Sequence, residues 1–223
     1  DLVFIYFNRL LQFLIDSIIV KSNNLSEHVT RKKKMQIIPN GVDFDFFKPM
    51  EKSTAMRELS LHVGSKKYIL FLGDRSNPRK NFSLLEKALQ RLNDVELLAP
   101  FPVPAAKVPI YLNAADVLVS TSFKEGSPNI IKEAMACNCP IVSTDVGDVR
   151  EGIGNTKGCY ITSFDPGDVA EKLNLALDFG RRTDGRDNIR HLENSVIAEK
   201  LIDVYHSVIK ASGGKKPFRE RVS

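Results

Sequence analysis

The stretch FKEGSPNIIKEAMACNCPIVSTDVGDVRE, residues 123–151, decides how the rest of the chain is read. It opens on a charged, glycine-containing entrance, Lys124, Glu125 and Gly126. A helix start follows, in which Ser127 suits the N-cap and Pro128 the first helical position. The run from Ile130 to Cys137 reads as an almost wholly apolar helix, and Pro140 then opens a short buried strand, Ile141 to Ser143. Glu125 and Glu133 stand eight positions apart. At about 1.5 Å of rise per residue, Glu133 lies roughly 8 Å along the axis from the helix start, and its side chain leans back toward that end. An anion held by the amino-terminal amides is then bracketed by two carboxylates. A sugar nucleotide has that layout, a pyrophosphate with a sugar on one side and a ribose on the other.

Around this stretch, strands and helices alternate from residue 54 onward, which predicts a parallel sheet covered by helices. Tyr68 to Leu72 reads as the first strand, ending at Gly73, and the loop from Asp74 to Lys80 carries Arg75, Arg79 and Lys80. Asn81 to Leu92 is amphipathic, with Leu85, Ala88, Leu89 and Leu92 at helical spacing. Val95 to Leu98 is a strand. Pro100, Pro102 and Pro104 make 99–108 irregular. A short helix, Pro109 to Ala114, leads through Asp116 to the strand Val117 to Ser120. After the opening stretch come the strand Cys159 to Thr162 and two helices. Pro166 to Phe179 turns Val169, Leu173, Ala176 and Leu177 inward, and Ser195 to Lys210 turns in Ile197, Leu201, Val204, Tyr205 and Val208. The fold class expected is α/β, a Rossmann-like parallel sheet with helices on both faces.

The amino-terminal part reads differently. Residues 2–14 suggest a helix with Leu10, Leu11 and Leu14 on one side. Ser17 to Val20 and Gln36 to Ile38 suggest short strands, and Asn24 to Thr30 a short helix. Asn8, Arg9, Gln12 and Asp16 interrupt the apolar start, so neither a clean spanning helix nor a signal peptide is expected. The basic run Arg31 to Lys34 reads as a solvated surface or as a contact with an anionic membrane. A turn-rich break at 39–43 divides the chain into residues 1–43, a domain at 44–210, and a Gly- and Lys-rich tail at 211–223 expected to be disordered.

Composition narrows the function. With 223 residues and 43% apolar content, the chain is an ordinary globular protein large enough to bury a core. A net charge of +5 fits an anionic ligand or membrane surface, and the cations form no aromatic-interleaved stripe of the kind nucleic acid requires. Cys137, Cys139 and Cys159 lack zinc spacing and read as buried thiols, and the four histidines are scattered, so no metal site is expected. In open parallel sheets ligands bind beyond the carboxyl ends of strands. The loops after Leu72, Ser120 and Ser143 all lie there, carrying Arg75 and Lys80, then Glu125 with the helix start, then Gly147.

With these residues in place the pattern resembles the retaining glycosyltransferases of the large bacterial family 4, enzymes of two Rossmann-like domains known as the GT-B fold. EGSPNIIKEAMACNCPIVSTDVGDVRE is similar to the family's donor-binding signature. The segment at 37–49 (IIPNGVDFDFFKP) resembles its crossing between domains, the one at 69–82 (ILFLGDRSNPRKNF) its first carboxyl-terminal strand and phosphate loop, and the one at 108–122 (VPIYLNAADVLVSTS) the approach to its first glutamate. The resemblance implies that Glu125 contacts the donor sugar near its anomeric centre and that Glu133 accepts hydrogen bonds from the ribose hydroxyls. It implies that Lys80 neutralises the departing pyrophosphate, and that the amides of Gly126, Ser127, Asn129 and Ile130 face sugar and phosphates. Gly73, Gly147 and Arg75 fall among the implied donor-binding positions. The co-substrate implied is a nucleoside-diphosphate sugar, with no metal or other cofactor. The acceptor implied is a glycan or lipid-linked glycan, and the setting cytoplasmic or peripheral at the membrane, in cell-envelope polysaccharide synthesis.

Three departures stand out. Asp74 occupies the position where the family usually has an arginine. The segment between Leu98 and Val108 is short. Residues 1–36 match only the last helix and strand of the family's acceptor-binding domain. Two other readings suit the same residues, a nucleotide-sugar epimerase of this fold and a non-catalytic module that binds sugar nucleotides.

Overall fold

The computed structural model describes residues 10–12, 14–27, 29–62, 64 and 66–211. The predicted helix over 2–14 falls largely outside them, Leu10 and Leu11 being helical among its described residues, and residues 212–223 lie outside them as well. No helix among the described residues is long and apolar enough to cross a membrane.

Five strands make the main sheet: β3 (Lys67–Leu70), β4 (Val95–Leu98), β5 (Val117–Ser120), β6 (Ile141–Thr144) and β7 (Cys159–Thr162). All pair in parallel, in the order β4-β3-β5-β6-β7. Ile69 lies opposite Val117, Leu118 opposite Ile141, and Ile141 opposite Cys159. Their sequences are continuous apolar runs because a parallel sheet is buried on both faces. Successive side chains part company accordingly. Ile69, Phe71, Val117, Val119 and Val142 pack on α3 (Phe82–Leu89) and α7 (Pro166–Phe179). Tyr68, Leu70, Leu118 and Ile141 face the other way. There they meet α2 (Lys52–Glu58), α4 (Val108–Ala114), α5 (Asn129–Ala136), α6 (Val149–Ile153) and α9 (Asn194–Ala211). A buried Leu or Ile here contributes about 1.5–3 kcal/mol.

Local chemistry sets the helix ends. Asp165 caps α7 by accepting from the amides of Gly167 and Asp168, Pro166 takes the first position, and Gly180 ends the helix with φ +65°. Some predicted bounds shift. The helix begun at Asn81 runs from Phe82 to Leu89 rather than to Leu92, and the one expected over Asn24 to Thr30 is a single turn, α1 (Asn23–Ser26). The basic run forms a 3-10 turn, Lys32–Lys34, between β1 (Ile18–Val20) and β2 (Met35–Ile37), which pair in parallel as a separate two-stranded sheet. Tyr205, expected inward, is 62% exposed, because only Ile197 and Val204 of α9 are buried and position 205 lies off their stripe.

The segment after β2 is clasped by the far end of the chain. Val42 donates its amide to Leu192 O (2.9 Å), and the Asn194 amide donates to Val42 O (3.1 Å). Arg186, following α8's first residue (α8 is Gly185–Asn188), donates to the carbonyls of Phe44, Phe47 and Ala136 and lies over the Phe44 ring.

Candidate functional site

The order of the strands builds the crevice. From β3 the chain runs outward to β4, and from β5 it runs the opposite way to β6, so the two loops diverge above the gap between β3 and β5. Such a switch point at the carboxyl edge is where open α/β sheets hold ligands. Lys80 comes from the loop after β3 and Glu125 from the loop after β5, and they meet over this gap with Lys80 Nζ 2.7 Å from Glu125 Oε1. Ser122 Oγ donates to the same oxygen at 2.9 Å.

The two loops are stitched to each other. The Phe123 amide donates to Arg79 O (2.9 Å), and Thr121 Oγ1 bonds the carbonyls of Lys80 and Asn81, both at 3.0 Å. Thr144 Oγ1 ties the end of β6 to Ser122 O at 2.7 Å. A β-carbon on Gly73 would already touch the Lys80 stem at 3.4 Å, so the lysine lies across the bare end of its strand. Both charged side chains remain partly exposed, 31% for Lys80 and 23% for Glu125. An ion pair so placed contributes little to stability. Its charges stay accessible to a ligand.

The amino end of α5 faces the same edge. The sequence places Ser127 as N-cap and Pro128 as first residue; the structure moves both outward by one. Pro128 is the N-cap, with no side-chain cap bond, and the helix begins at Asn129 and ends at Ala136. Ser127 is drawn off instead by Asp148 and Lys132. Among the described residues the amides of Gly126, Ser127, Asn129 and Ile130 have no acceptor. Such unpaired donors, aided by the helix dipole, suit an anion. Gly147 explains the tightness of the site. Its φ is +62°, and a β-carbon there would stand 2.6 Å from Gly126 O.

Glu133 is half-buried and makes no hydrogen bond or ion pair among the described residues. Burial pushes its carboxyl up to about 7, against the opposing charge of Lys132. Arg75 goes elsewhere. Its Nη2 donates to Ala99 O (2.7 Å) in the proline-rich segment, and its guanidinium lies over the Phe82 ring at 5.3 Å. No contact joins it to Lys80 or Glu125 among the described residues. Asp74 accepts from the Ser76 hydroxyl and amide, which hold its carboxyl below the usual value. All three cysteines are free thiols, and burial pushes Cys137 and Cys159 up to about 12.

Sequence reasoning overlooked Lys132 and Asn40. Lys132 is 2% exposed, its ammonium 2.9 Å from Asp148 Oδ2 and 2.7 Å from Ser127 Oγ. The signal was present. A helix apolar on nearly every side leaves no solvated face for a lysine. Asn40, read as part of a hinge turn, donates through Nδ2 to Ser127 O (3.1 Å) and to Asn129 Oδ1 (2.7 Å).

Comparison with known proteins agrees with this architecture. The phosphatidylinositol N-acetylglucosaminyltransferase GPI3 subunit of Saccharomyces cerevisiae (strain YJM789) is 22% identical across 95% of this chain and 56% of its own. The chain thus spans about half the length of that curated relative. Among solved structures, sucrose-phosphate synthase from Thermosynechococcus elongatus superposes with a TM-score of 0.82 at 18% identity, over 95% of this chain and 63% of that one. HepE from Anabaena, solved with UDP and glucose, superposes at 0.71 with 18% identity, over 86% and 63%. These likenesses place the fold with the Rossmann-like halves of GT-B proteins. The family model for glycosyl transferases group 1 matches residues 66–178, just over half of the chain, and the chain belongs to that family.

Proposed function

We propose that this chain is the donor-binding half of a glycosyltransferase that moves a sugar from a nucleoside-diphosphate sugar to an acceptor hydroxyl with retention at the anomeric carbon. The observation that carries the reading is the meeting of Lys80 and Glu125 at 2.7 Å over the β3/β5 switch point. Beside it stand the amides of Gly126, Ser127, Asn129 and Ile130 and the carboxyl of Glu133, unpaired among the described residues.

In this reading the diphosphate lies on the amino end of α5, where free amides and the helix dipole stabilise its charge. Lys80 exchanges Glu125 for a phosphate oxygen and neutralises the charge that grows on the leaving group, so no metal ion is required. Glu125, released from Lys80, stands beside the anomeric centre and stabilises positive charge there. Glu133 accepts from the ribose hydroxyls. Gly73 and Gly147 let backbone approach the ligand, and Arg75 borders the crevice from the loop after β3, its guanidinium held against the segment that follows β4. UDP bound to the HepE fold relative makes a uridine donor the first to test. The lipid headgroup in the name of the yeast relative makes a lipid-linked acceptor at a membrane surface the matching choice on the other side. Residues 1–43 are then the end of an acceptor-binding domain and the crossing from it.

The test is a thermal-shift and calorimetric panel with UDP, GDP, ADP and their sugars. One nucleotide is expected to stabilise the protein by about 2.7 kcal/mol at 100-fold excess over its dissociation constant. Absence of a shift with every nucleotide sinks the reading.

A further inference from the structure

The charged group most thoroughly removed from water in this region is Lys132, one turn inside α5. Its ammonium donates to Asp148 Oδ2 (2.9 Å) and to Ser127 Oγ (2.7 Å), and Ser127 Oγ donates in turn to Asp148 Oδ2 (2.7 Å). The Asn40 amide points at the same hydroxyl at 3.4 Å. That hydroxyl is fully used, with its one proton given and both lone pairs engaged. Three chain segments converge here: the entrance to α5, the Gly147–Asp148 turn that leads into α6, and the strand-to-domain crossing at Asn40.

Burying a lysine is costly, and a well-packed apolar residue would serve stability as well as the Lys132–Asp148 pair does. What an apolar residue lacks is direction. It cannot fix the orientation of a serine and a carboxylate that belong to two other segments. Their orientation matters because Gly147 is pressed so closely on the Gly126 carbonyl that a β-carbon would stand 2.6 Å away. The amides of Gly126, Ser127, Asn129 and Ile130 lie between these anchors.

We infer that Lys132 is a positioning residue for donor binding. By clamping Ser127 and Asp148 it holds the α5 entrance and the Gly147 turn in the one arrangement where their amides converge on the diphosphate. The inference rests on the donor-binding reading above. Asn40 joins the same clamp, so the crossing segment is registered to the diphosphate cradle through Ser127 and Asn129.

The experiment compares wild type with Lys132→Met, Lys132→Arg and the double variant Lys132→Met/Asp148→Leu. The readouts are thermal midpoint, affinity for UDP, GDP and ADP, and amide hydrogen exchange of the unliganded protein. Lys132→Met alone is expected to lower the midpoint, since it strands Asp148. The double variant is expected to regain the midpoint, yet to bind the preferred nucleotide about tenfold or more weakly, with faster exchange at Gly126, Ser127, Asn129, Ile130 and Gly147. Lys132→Arg is expected to recover part of the affinity. Should the double variant not fold, Ser127→Ala removes the shared hydroxyl alone and is expected to give the same affinity and exchange changes. Wild-type affinity and wild-type exchange in the folded variants would overturn the inference and leave the pair purely structural. If wild type binds no nucleotide while exchange still rises in the variants, the donor reading fails and the clamp stands.

Discussion

The two edges of the five-stranded sheet use charge in opposite ways. At the amino edge Asp116 accepts from Lys52 Nζ (2.6 Å) through one oxygen and from the Tyr68 amide (2.7 Å) through the other. Arg182 closes the end of α4 by donating to the carbonyls of Leu112 and Asn113, a favourable place for a cation. A cavity of about 280 Å³ opens there, bordered by Lys52, Asp116 and Arg182, and its charges already serve the protein. At the carboxyl edge the accounting stays open. Among the described residues Lys80 and Glu125 bond only each other and a serine, Glu133 bonds nothing, and four amides lack acceptors. Charged groups can mean stability at one end of a sheet and room for a ligand at the other, and what each group already bonds tells them apart.

That contrast can be broken by mutation. Asp116→Ala is expected to lower unfolding free energy by about 2–3 kcal/mol in a denaturant titration, through lost charge-assisted hydrogen bonds, and to leave nucleotide affinity unchanged. A parallel loss of affinity would mean that the edges are not separate. Lys80→Met is expected to do the reverse. Calorimetry should record nucleotide binding weaker by about 10- to 100-fold, with stability moved by less than about 0.5 kcal/mol.

Glu133 sharpens the contrast through pH. Its folded-state pKa of about 7 lies above its ordinary value of 4.5, so the fold favours the protonated carboxyl. The stability this confers is complete below about pH 4.5 and is lost as pH rises through about 7, a change on the order of 1–3 kcal/mol that Glu133→Gln should flatten. In the proposed donor reading the ribose hydroxyls donate to Glu133, and they bond the ionised carboxylate more strongly than the protonated form. Nucleotide affinity is therefore expected to rise several-fold from about pH 6 to about pH 8 with release of a proton, visible as a buffer-dependent binding enthalpy. The smallest effect belongs to Arg150, whose pair with Asp145 is exposed. Arg150→Ala should change stability and affinity by no more than about 0.5 kcal/mol, and a larger loss of affinity would extend the site beyond the crevice.

Much of this was legible in the sequence. The strands Val95–Leu98, Val117–Ser120 and Cys159–Thr162 and the helix Pro166–Phe179 were read at their observed bounds, because apolar runs and caps are local signals. The gathering of Lys80, Glu125 and the α5 entrance at one edge followed from the βα alternation. What escaped the sequence depends on contacts between distant segments. Ser127 has the chemistry of a cap, and only a lysine five residues on and an aspartate from another loop draw it away. Arg75 turns its guanidinium to the Ala99 carbonyl and the Phe82 ring, partners that no local pattern around it names. Tyr205 has helical spacing from Leu201 and yet is 62% exposed among the described residues.

The clasp at Val42 carries a consequence in time. Its partners, Leu192 and Asn194, are separated from it in sequence by nearly the entire sheet. During synthesis from the amino terminus the strands of the sheet and the Asn40 bonds to Ser127 and Asn129 can form as they emerge, while the bonds at Val42 wait for the start of α9. The backbone clasp on residue 42 thus closes last, after the five-stranded sheet it spans is already built.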